Sequence, residues 1–305
     1  MKIKEILAKY TIILKENKLI TSPNLEAELL LSFALKKTRE YLFSNLNKTI
    51  NNSQVIKFNV YIQERLLSKP MAYIIGHKEF YGLDFNVNKN TLIPRPETEL
   101  IIDELKHILD ERLINNNKPI IVIDIGTGSG CIITTITKLF KKNKNIRFIA
   151  SDISSNALQV AMKNAKKHNT DKQIDFLEGN LLEPIINNHR LDLICSDLFI
   201  ISNLPYLTPT QVKNSPTIQH EPKTALISGS DGLKHYKELF TQLKSLLDKD
   251  LKQSNNQIII MCEIDPSQSN TIQSLISRKI PSAKFRIKKD LARQDRLAII
   301  QIINN

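Results

Sequence analysis

The sequence predicts an α/β protein in which a mostly parallel, seven-stranded sheet follows a small N-terminal helical domain. The chain has 305 residues, enough for two domains. It holds no glycine before Gly76, and its first part is rich in helix formers. From about residue 118 onward, continuous apolar runs alternate with helical stretches, a pattern typical of parallel strands that are buried on both faces.

The amino-acid composition indicates a globular protein without a membrane span. Hydrophobic residues make up 41% of the chain and charged residues 24%, which is the balance of a globular protein. The net charge of +12 suits an acidic protein partner and leaves a nucleic acid open. No apolar run approaches the roughly 18 residues of a membrane span, and the start does not resemble a signal peptide. We therefore expect no membrane partner and a cytoplasmic location.

The three cysteines, Cys131, Cys195 and Cys262, are scattered along the chain in apolar surroundings. Their odd number argues against a disulfide framework, and no Cys-x-x-Cys pair indicates a zinc site. We therefore predict three buried thiols in a reducing compartment, and no bound metal.

Residues 1–76 form the predicted N-terminal helical domain. Its clearest helix runs from Asn24 to Leu35, with a start at Ser22-Pro23 or at Asn24. Residues 1–72 carry 12 basic and 6 acidic side chains, so this segment holds +6 of the total charge of +12. The excess predicts either a solvated helical surface or a face that docks a partner.

Residues 77–94 are predicted to form a β-hairpin connector, because aromatic and branched residues alternate around Gly82. Pro96 then suits the first position of a helix whose first turn carries Glu97 and Glu99. The predicted second domain spans residues 95–305. Its predicted strands are Ile120–Ile125, Ile146–Asp152, Ile174–Leu177, Leu191–Ser202, Gln257–Glu263, Ala283–Ile287 and Arg296–Ile302.

Three of the eight glycines, Gly126, Gly128 and Gly130, lie between the first of these strands and a predicted helix over Cys131–Phe140. Without Cβ atoms, such a loop turns sharply and lets a ligand approach the backbone. Asp152 ends the next strand, 22 residues after Gly130. A carboxylate at that position accepts hydrogen bonds from ribose hydroxyls, so the spacing predicts a nucleoside ligand.

The loop Asn203-Leu204-Pro205-Tyr206 follows a later, strongly apolar strand. Together with the glycine loop it resembles S-adenosylmethionine-dependent methyltransferases that act on nitrogen conjugated to a carbonyl or a ring. Such a nitrogen is a poor nucleophile because its lone pair is delocalised. The Asn203 side-chain oxygen and the Leu204 carbonyl are suited to accept its two N–H groups and aim it at the methyl group. Pro205 stiffens the loop, and Tyr206 is suited to pack on the planar amide or base.

Further blocks make the resemblance specific to the HemK/PrmC family of protein-(glutamine-N5) methyltransferases. They are residues 69–76, residues 79–87 and above all Leu92-Ile93-Pro94-Arg95-Pro96-Glu97-Thr98-Glu99, with shorter later matches that include Glu221-Pro222 and Glu263-Ile264. The resemblance implies a Rossmann-like, class I methyltransferase fold. It also implies methyl transfer from S-adenosylmethionine to the glutamine of the Gly-Gly-Gln loop of class I peptide chain release factors, which supports translation termination. The helical domain is implied to help hold the release factor.

The same resemblance implies the site residues. The S-adenosylmethionine contacts carry over to Gly126, Thr127, Gly128, Ser129, Gly130, Asp152, Leu181 and Asn203, and the catalytic loop to Asn203, Leu204, Pro205 and Tyr206. Residues 95–99 are implied to line the entrance. Leu204 stands where the family usually has Pro, which keeps the carbonyl acceptor but removes a rigid residue. Asn180 stands where the family often has Asp, which weakens a polar contact near the adenine.

Two consecutive segments before and up to Asn203 both match the family's pattern for this strand. The segment Leu191–Asp197 resembles the family's strand and its end, and Leu198–Asn203 repeats that end, so Asn203 comes 203 − 197 = 6 residues after Asp197. We predict that Leu198–Ser202 ends the strand and brings Asn203 to the site, with the residues before it in a bulge or loop. In the alternative register, Asp197 occupies the site and Asn203 is displaced.

Two other functions stay open. Asn-Leu-Pro-Tyr is also the form found in ribosomal RNA adenine N6-dimethyltransferases, and a basic chain suits RNA. That family, however, lacks the 92–99 block and a preceding helical domain. The other alternative is a catalytically inactive module that only docks a release factor, which would bind S-adenosylmethionine without transferring its methyl group.

Overall fold

The structure, a computed structural model, describes residues 1–115, 118–249, 251 and 256–303. It divides into two compact units: Met1–His77 with Lys213–His220, and Lys78–Val212 with Glu221–Asn305. The second unit therefore takes in all but the first residue of the predicted connector, and a short segment from far along the chain belongs with the first unit. Residues 304 and 305 of the predicted second domain lie outside the described residues.

The first unit is built from short helices around one apolar core. Side chains cap two of these helices: Thr38 accepts the N–H of Tyr41 (3.4 Å), and Asn51 accepts that of Gln54 (2.9 Å). The core includes Leu30, Phe58 and other fully buried side chains. The predicted helix over Asn24–Leu35 is confirmed. The helices are α1 (Ile3–Lys15), α2 (Pro23–Leu35), α3 (Arg39–Ser44), α4 (Asn52–Leu66) and α5 (Met71–Ile75).

The predicted hairpin is confirmed as strands β1 (His77–Phe80) and β2 (Leu83–Asn86), which pair with each other. Tyr81 and Gly82 make the turn, with φ of 51° and 70°. After the hairpin, Pro96–Thr98 forms a single 3₁₀ turn, and helix α6 runs over Glu99–Asn115. The helix that was predicted to start at Pro96 therefore becomes an α-helix only at Glu99.

The second unit contains the predicted seven-stranded, mostly parallel sheet. Its spatial order is β5-β4-β3-β6-β7-β9-β8, and β9 is antiparallel to both of its neighbours. The order reverses between β3 and β6, and a crevice at the carboxyl ends of strands at such a point is where α/β proteins bind ligands. The strands are β3 (Ile120–Ile125), β4 (Ile146–Asp152), β5 (Ile174–Glu178), β6 (Asp197–Ser202), β7 (Gln257–Glu263), β8 (Lys284–Lys289) and β9 (Asp295–Ile303).

Further helices lie between these strands along the chain. They are α7 (Cys131–Leu139), α8 (Ser155–Lys167), α9 (Glu183–Cys195), α10 (Pro209–Lys213), α11 (Lys234–Lys249) and α12 (Ser269–Lys279). Helix α11 buries an apolar stripe that includes Tyr236, Phe240 and Leu243, as expected for a helix packed on a sheet. Across the ranges that the structure describes, no helix has the length and apolarity to span a bilayer.

The sequence prediction of one strand over Leu191–Ser202 is wrong in its first half. Residues up to Cys195 end helix α9, and the strand begins at Asp197. The prediction of a bulge or loop before Leu198 is wrong as well. A short apolar run fits a buried helix face as well as a strand, so its periodicity could not separate the two. Here, Leu193 is fully buried while Leu191 is 79% exposed, as in a helix with one covered face.

The position of Asn203 follows from this boundary. Asp197 begins β6 and Asn203 comes directly after its end, so the two lie at opposite ends of the strand, about 20 Å apart along it. The prediction of three buried thiols is wrong for one of them. Cys131 and Cys262 are buried, but Cys195, at the end of α9, is exposed.

Asp197 gives a test of the fold at the amino end of β6. Its buried carboxylate accepts the Nε–H of Arg112 (2.7 Å) and the backbone N–H of Gln257 (2.9 Å). Because Arg112→Ala would leave the buried charge short of a partner, we expect it to lower the free energy of unfolding by about 3 kcal/mol. In the control Lys106→Ala, which breaks an exposed pair with Asp110 on the same helix, the loss should stay below about 1 kcal/mol. Equal losses in urea denaturation would contradict this interpretation.

Candidate active site

The carboxyl end of β3 leads into the glycine loop. Gly126, Gly128 and Gly130 adopt φ of 70°, 57° and 75°, a region that glycine enters without strain. The Gly126 N–H donates to the Ser151 carbonyl on β4 (2.8 Å), which ties the loop to the neighbouring strand. A Cβ at Gly130 would lie 2.9 Å from the Cβ of Ala161 on α8. The loop therefore packs directly on that helix.

Asp152, at the end of β4, is held by backbone donors. Its Oδ2 accepts the Gly128 N–H (2.8 Å), and its Oδ1 accepts the Ser154 N–H (2.9 Å). Burial raises the pKa of this carboxyl, while those hydrogen bonds act in the opposite direction. Each oxygen keeps a second lone pair for a ligand. Asp152 thus ties the glycine loop to the carboxyl end of β4.

Leu181 lies beside this carboxylate in the loop after β5. It adopts a φ of 54°, and its carbonyl accepts the Ser151 hydroxyl (2.9 Å). Its side chain is buried and lines the same cavity. A left-handed leucine is uncommon, and here a buried hydrogen bond holds it in that conformation.

Asp124 lies beneath the glycine loop, near the end of β3. One of its oxygens accepts the Thr127 hydroxyl (2.6 Å). The other, Oδ1, is buried and has no hydrogen-bond partner in the part of the chain that the structure describes. Burial raises the pKa of this carboxyl to about 7, mostly because the charged form loses its water.

A cavity of about 490 Å³ opens above the carboxyl ends of β3 and β6. This is the size of a small-molecule site. It brings together most of the predicted site residues, namely Gly126, Thr127, Gly128, Ser129, Asp152, Leu181, Asn203, Leu204 and Pro205. Among the described residues that line the cavity, Gly130 and Tyr206 do not appear. Gly130 instead caps helix α7, and the Tyr206 hydroxyl donates to Glu263.

The loop after β6 reaches the cavity because of strand register. Ile125 of β3 pairs with Ser202 of β6, so the next residues, Gly126 and Asn203, leave neighbouring strand ends. Leu204 is buried, and its Cδ2 atom would lie 3.0 Å from a Cβ at Gly126. The two loops are thus in direct contact.

Asn203 is held by two residues for which the sequence analysis proposed no catalytic role. Its Nδ2 donates to Thr98 Oγ1 (3.0 Å) and to Glu263 Oε2 (3.0 Å), and the Thr98 hydroxyl donates to the same Oε2 (2.7 Å). The Tyr206 hydroxyl donates to Glu263 Oε1 (3.3 Å). Burial raises the pKa of Glu263, and the hydrogen bond from Thr98, the charge of Arg296 and the hydrogen bond from Tyr206 oppose the rise. In the sequence, Glu263 ends an apolar strand and Thr98 belongs to the 92–99 block, but neither feature predicts a contact with Asn203.

The rim of the cavity carries further charged and polar side chains. Arg95 and Thr98 line it, whereas Glu99 of the same block accepts the Tyr81 N–H (2.8 Å). Buried Glu221 accepts the Ile93 N–H (3.0 Å) and forms an ion pair with Arg95. The segment before α6 is therefore fixed next to the cavity by a carboxylate from far along the chain.

The far wall of the cavity contains Asn180 and Glu238. The Asn180 Nδ2 donates to Glu238 Oε1 (2.6 Å), and both residues line the cavity. Because Glu238 uses the amide nitrogen, the Asn180 oxygen is the group left for a ligand. An acceptor oxygen is therefore present at this position.

The raised pKa of Asp124 gives a stability prediction. Its folded pKa of about 7 lies above the ordinary value of 3.8, so the native state holds the proton more tightly than the unfolded chain. The contribution of Asp124 to stability is therefore present below about pH 4 and is lost as the pH rises to about 7. Asp124→Asn removes this loss. Relative to the unchanged protein, the variant should gain about 2–4 kcal/mol between pH 4 and pH 8.

The measurement is urea denaturation of both proteins across that pH range. Asp175→Asn provides the control, because Asp175 is half-exposed and pairs with Arg147 on the surface. Its stability difference from the unchanged protein should vary by less than about 1 kcal/mol. A flat difference for Asp124→Asn would contradict the raised pKa.

Comparisons with known proteins agree with this architecture. Residues 5–76 match the PrmC N-terminal domain family, and residues 116–277 match a methyltransferase domain family. Among solved structures, the catalytic domain of hMettl16 in complex with an RNA hairpin superposes with a TM-score of 0.53 at 14% identity. This match covers 90% of this chain and 91% of that one. At that identity the likeness concerns the fold alone, and it confirms the predicted class I methyltransferase architecture.

Sequence relatives are much more similar. The release factor glutamine methyltransferase of Bacillus anthracis is 34% identical over 279 residues, which cover 90% of this chain and 91% of the relative. The protein of the same name from Bacillus subtilis is 33% identical, with 92% and 91% covered. That from Clostridium acetobutylicum is 32% identical, with 98% of each chain covered. This chain therefore belongs to the release factor glutamine methyltransferase family.

Proposed function

We propose that this protein transfers a methyl group from S-adenosylmethionine to the side-chain amide nitrogen of the glutamine in the Gly-Gly-Gln loop of class I peptide chain release factors. One observation carries the proposal. The pairing of Ile125 with Ser202 sends the glycine loop and the Asn203 loop into one cavity. A nucleoside cradle and a pair of amide acceptors in one cavity are what methyl transfer to an amide requires.

The residues at the cradle fit S-adenosylmethionine. The glycine loop exposes backbone, Asp152 is suited to accept both ribose hydroxyls, and Asn180 offers an acceptor for an adenine amino group. The buried Asp124 Oδ1 finds no hydrogen-bond partner among the described residues, which marks a local demand for a positive or hydrogen-bonding group. When bound, S-adenosylmethionine supplies a methyl group made electrophilic by its sulfonium.

The remaining steps concern the glutamine amide. In our proposal, the Asn203 side-chain oxygen and the Leu204 carbonyl accept its two N–H groups. These bonds orient the nitrogen and favour the positive charge that develops on it. Pro205 restricts the backbone of the loop. Leu204, which stands where the family usually has a proline, contacts Gly126 through its side chain. Tyr206 supports the loop through Glu263, since its hydroxyl donates there and it does not line the cavity.

For the partner, we propose that the helical unit helps to hold the release factor. Its residues 1–72 carry a net charge of +6 (12 basic minus 6 acidic), which favours an acidic protein surface at longer range. The substrate also sets the location, because release factors act on ribosomes in the cytoplasm. Nucleic acid is not required in this scheme.

Methyl transfer itself is the first test. Purified protein, S-adenosylmethionine and a class I release factor should yield one added methyl group on the Gly-Gly-Gln glutamine, as seen by mass spectrometry of the peptide. Asn203→Ala should lower kcat by about 10²–10³-fold, because it removes one of the two preorganised acceptors. Asn270→Ala, on the exposed side of α12, is the control and should keep the activity.

The other outcomes separate the alternatives. Methylation of ribosomal RNA adenine, with none on the release factor, would replace this proposal by the RNA enzyme. Cofactor binding with no transfer to either substrate would favour an inactive docking module.

The cradle has its own prediction. Asp152→Asn should weaken S-adenosylmethionine binding by about 10–100-fold, because a charge-assisted acceptor for two hydroxyls becomes a neutral amide. The measurement is isothermal titration calorimetry with S-adenosylhomocysteine and S-adenosylmethionine. Asp171→Asn, in the exposed turn after α8, is the matched control and should leave the affinity unchanged. Equal affinity for both variants would argue against Asp152 as a ribose ligand.

A further inference from the structure

We infer that Glu263 and Thr98 are positioning residues, which fix the amide of Asn203 so that its oxygen, and not its nitrogen, faces the substrate. The inference rests on the proposed function, since it concerns the acceptor for the glutamine amide. Neither residue needs to touch the substrate. Their effect passes through the orientation of one side chain.

An asparagine amide has two ends of similar size and opposite hydrogen-bonding character. If the Asn203 side chain were free to turn over, it would present an acceptor in one orientation and a donor in the other. A donor facing the N–H groups of a glutamine amide would repel the substrate nitrogen. A productive site therefore needs something that selects one orientation.

The structure contains such a selector. The Asn203 Nδ2 group donates to Thr98 Oγ1 and to Glu263 Oε2, each at 3.0 Å. The Thr98 hydroxyl donates its own proton to the same Oε2 (2.7 Å), which closes a ring of three hydrogen bonds. In the reversed orientation, the Asn203 oxygen would face the carboxylate. The ring therefore leaves Oδ1 as the polar atom of Asn203 for the cavity that this residue lines.

A carboxylate suits the role because it only accepts hydrogen bonds when ionised. Three donors converge on Glu263, from Thr98, Asn203 and Tyr206. Glu263 is 1% exposed, and burial raises its pKa, but the hydrogen bonds from Thr98 and Tyr206 and the charge of Arg296 oppose that rise and favour the ionised form. A glutamine or a hydroxyl at this position would offer mixed character and would not dictate the orientation as strictly.

The sheet explains why these residues meet. Ser202 of β6 pairs with Cys262 of the parallel strand β7, so Asn203 and Glu263 leave adjacent strand ends. Thr98 ends the 3₁₀ turn before α6 and is also buried. Thr98 and Glu263 are 105 and 60 positions away from Asn203 along the chain.

The ring can be inverted, which gives a sharp test. Asn203→Asp faces one carboxylate with another and should lower kcat by about 100-fold or more. In the double variant Asn203→Asp with Glu263→Gln, the introduced amide donates to the introduced carboxylate and to the Thr98 oxygen. The Thr98 hydroxyl donates to that carboxylate, and the oxygen of the introduced amide still accepts from Tyr206. Each of the three bonds of the ring is kept with donor and acceptor exchanged, so an acceptor again faces the substrate.

In the release factor assay, we therefore expect the kcat of the double variant to be at least about tenfold higher than that of Asn203→Asp. Glu263→Gln alone should lose less than Asn203→Asp, since its side chain has one orientation that still accepts from Asn203. If Glu263 only stabilised the fold, the two changes would add, and the double variant would be the slowest. That result, with wild-type methylation intact, would overturn the inference.

A second measurement does not depend on methylation. In protein with ¹⁵N-labelled asparagine, the Asn203 side-chain signal is identified by its loss in Asn203→Asp. At least one of its N–H protons should exchange slowly with solvent, and Thr98→Val should speed that exchange by about tenfold. Fast exchange of both protons in the unchanged protein would overturn the inference. Slow exchange in a protein that does not methylate release factors would instead contradict the proposed substrate and support the positioning role.

Discussion

The parallel pairing of β3 with β6 is the constraint on which the rest of the site depends. It sets Ile125 beside Ser202, and the chain leaves both strands at the same edge of the sheet. One residue later come Gly126 and Asn203. A shift of one residue in this register would turn every side chain of β6 to the opposite face and remove Asn203 from the cavity. The two loops therefore meet because of the hydrogen bonds between β3 and β6, which precede them in the chain.

Three strands of this sheet each bury a carboxylate, and removing a carboxylate from water costs free energy. Asp197 is paired with Arg112 at the amino end of β6, a structural solution. Glu263 collects three hydrogen-bond donors at the carboxyl end of β7, beside Asn203. Asp124 has only part of its hydrogen-bonding capacity satisfied by the described residues. Buried polar groups without full partners are destabilising, and they tend to occur at functional sites. Glu263 and Asp124, unlike Asp197, both lie next to the cavity.

Leu204 shows how packing substitutes for covalent rigidity. A proline ring restricts the backbone directly. Leucine leaves that freedom, but its side chain is buried against the glycine loop, where a Cβ on Gly126 would already be too close. The Leu204 side chain is therefore held by contact between the two loops. A consequence is that changes in the glycine loop should be felt in the amide-binding loop.

Local features could be predicted from the chain alone: the apolar strands, the glycine loop, the Asp152 spacing and the Asn-Leu-Pro-Tyr loop. Each depends on residues close together in the sequence. The helical state of Leu191–Cys195 could not be predicted, because a short apolar run fits either element. The hold of Thr98 and Glu263 on Asn203 was equally hidden. That ring joins three distant strand and turn ends, and only the order and register of the sheet bring them within hydrogen-bonding distance.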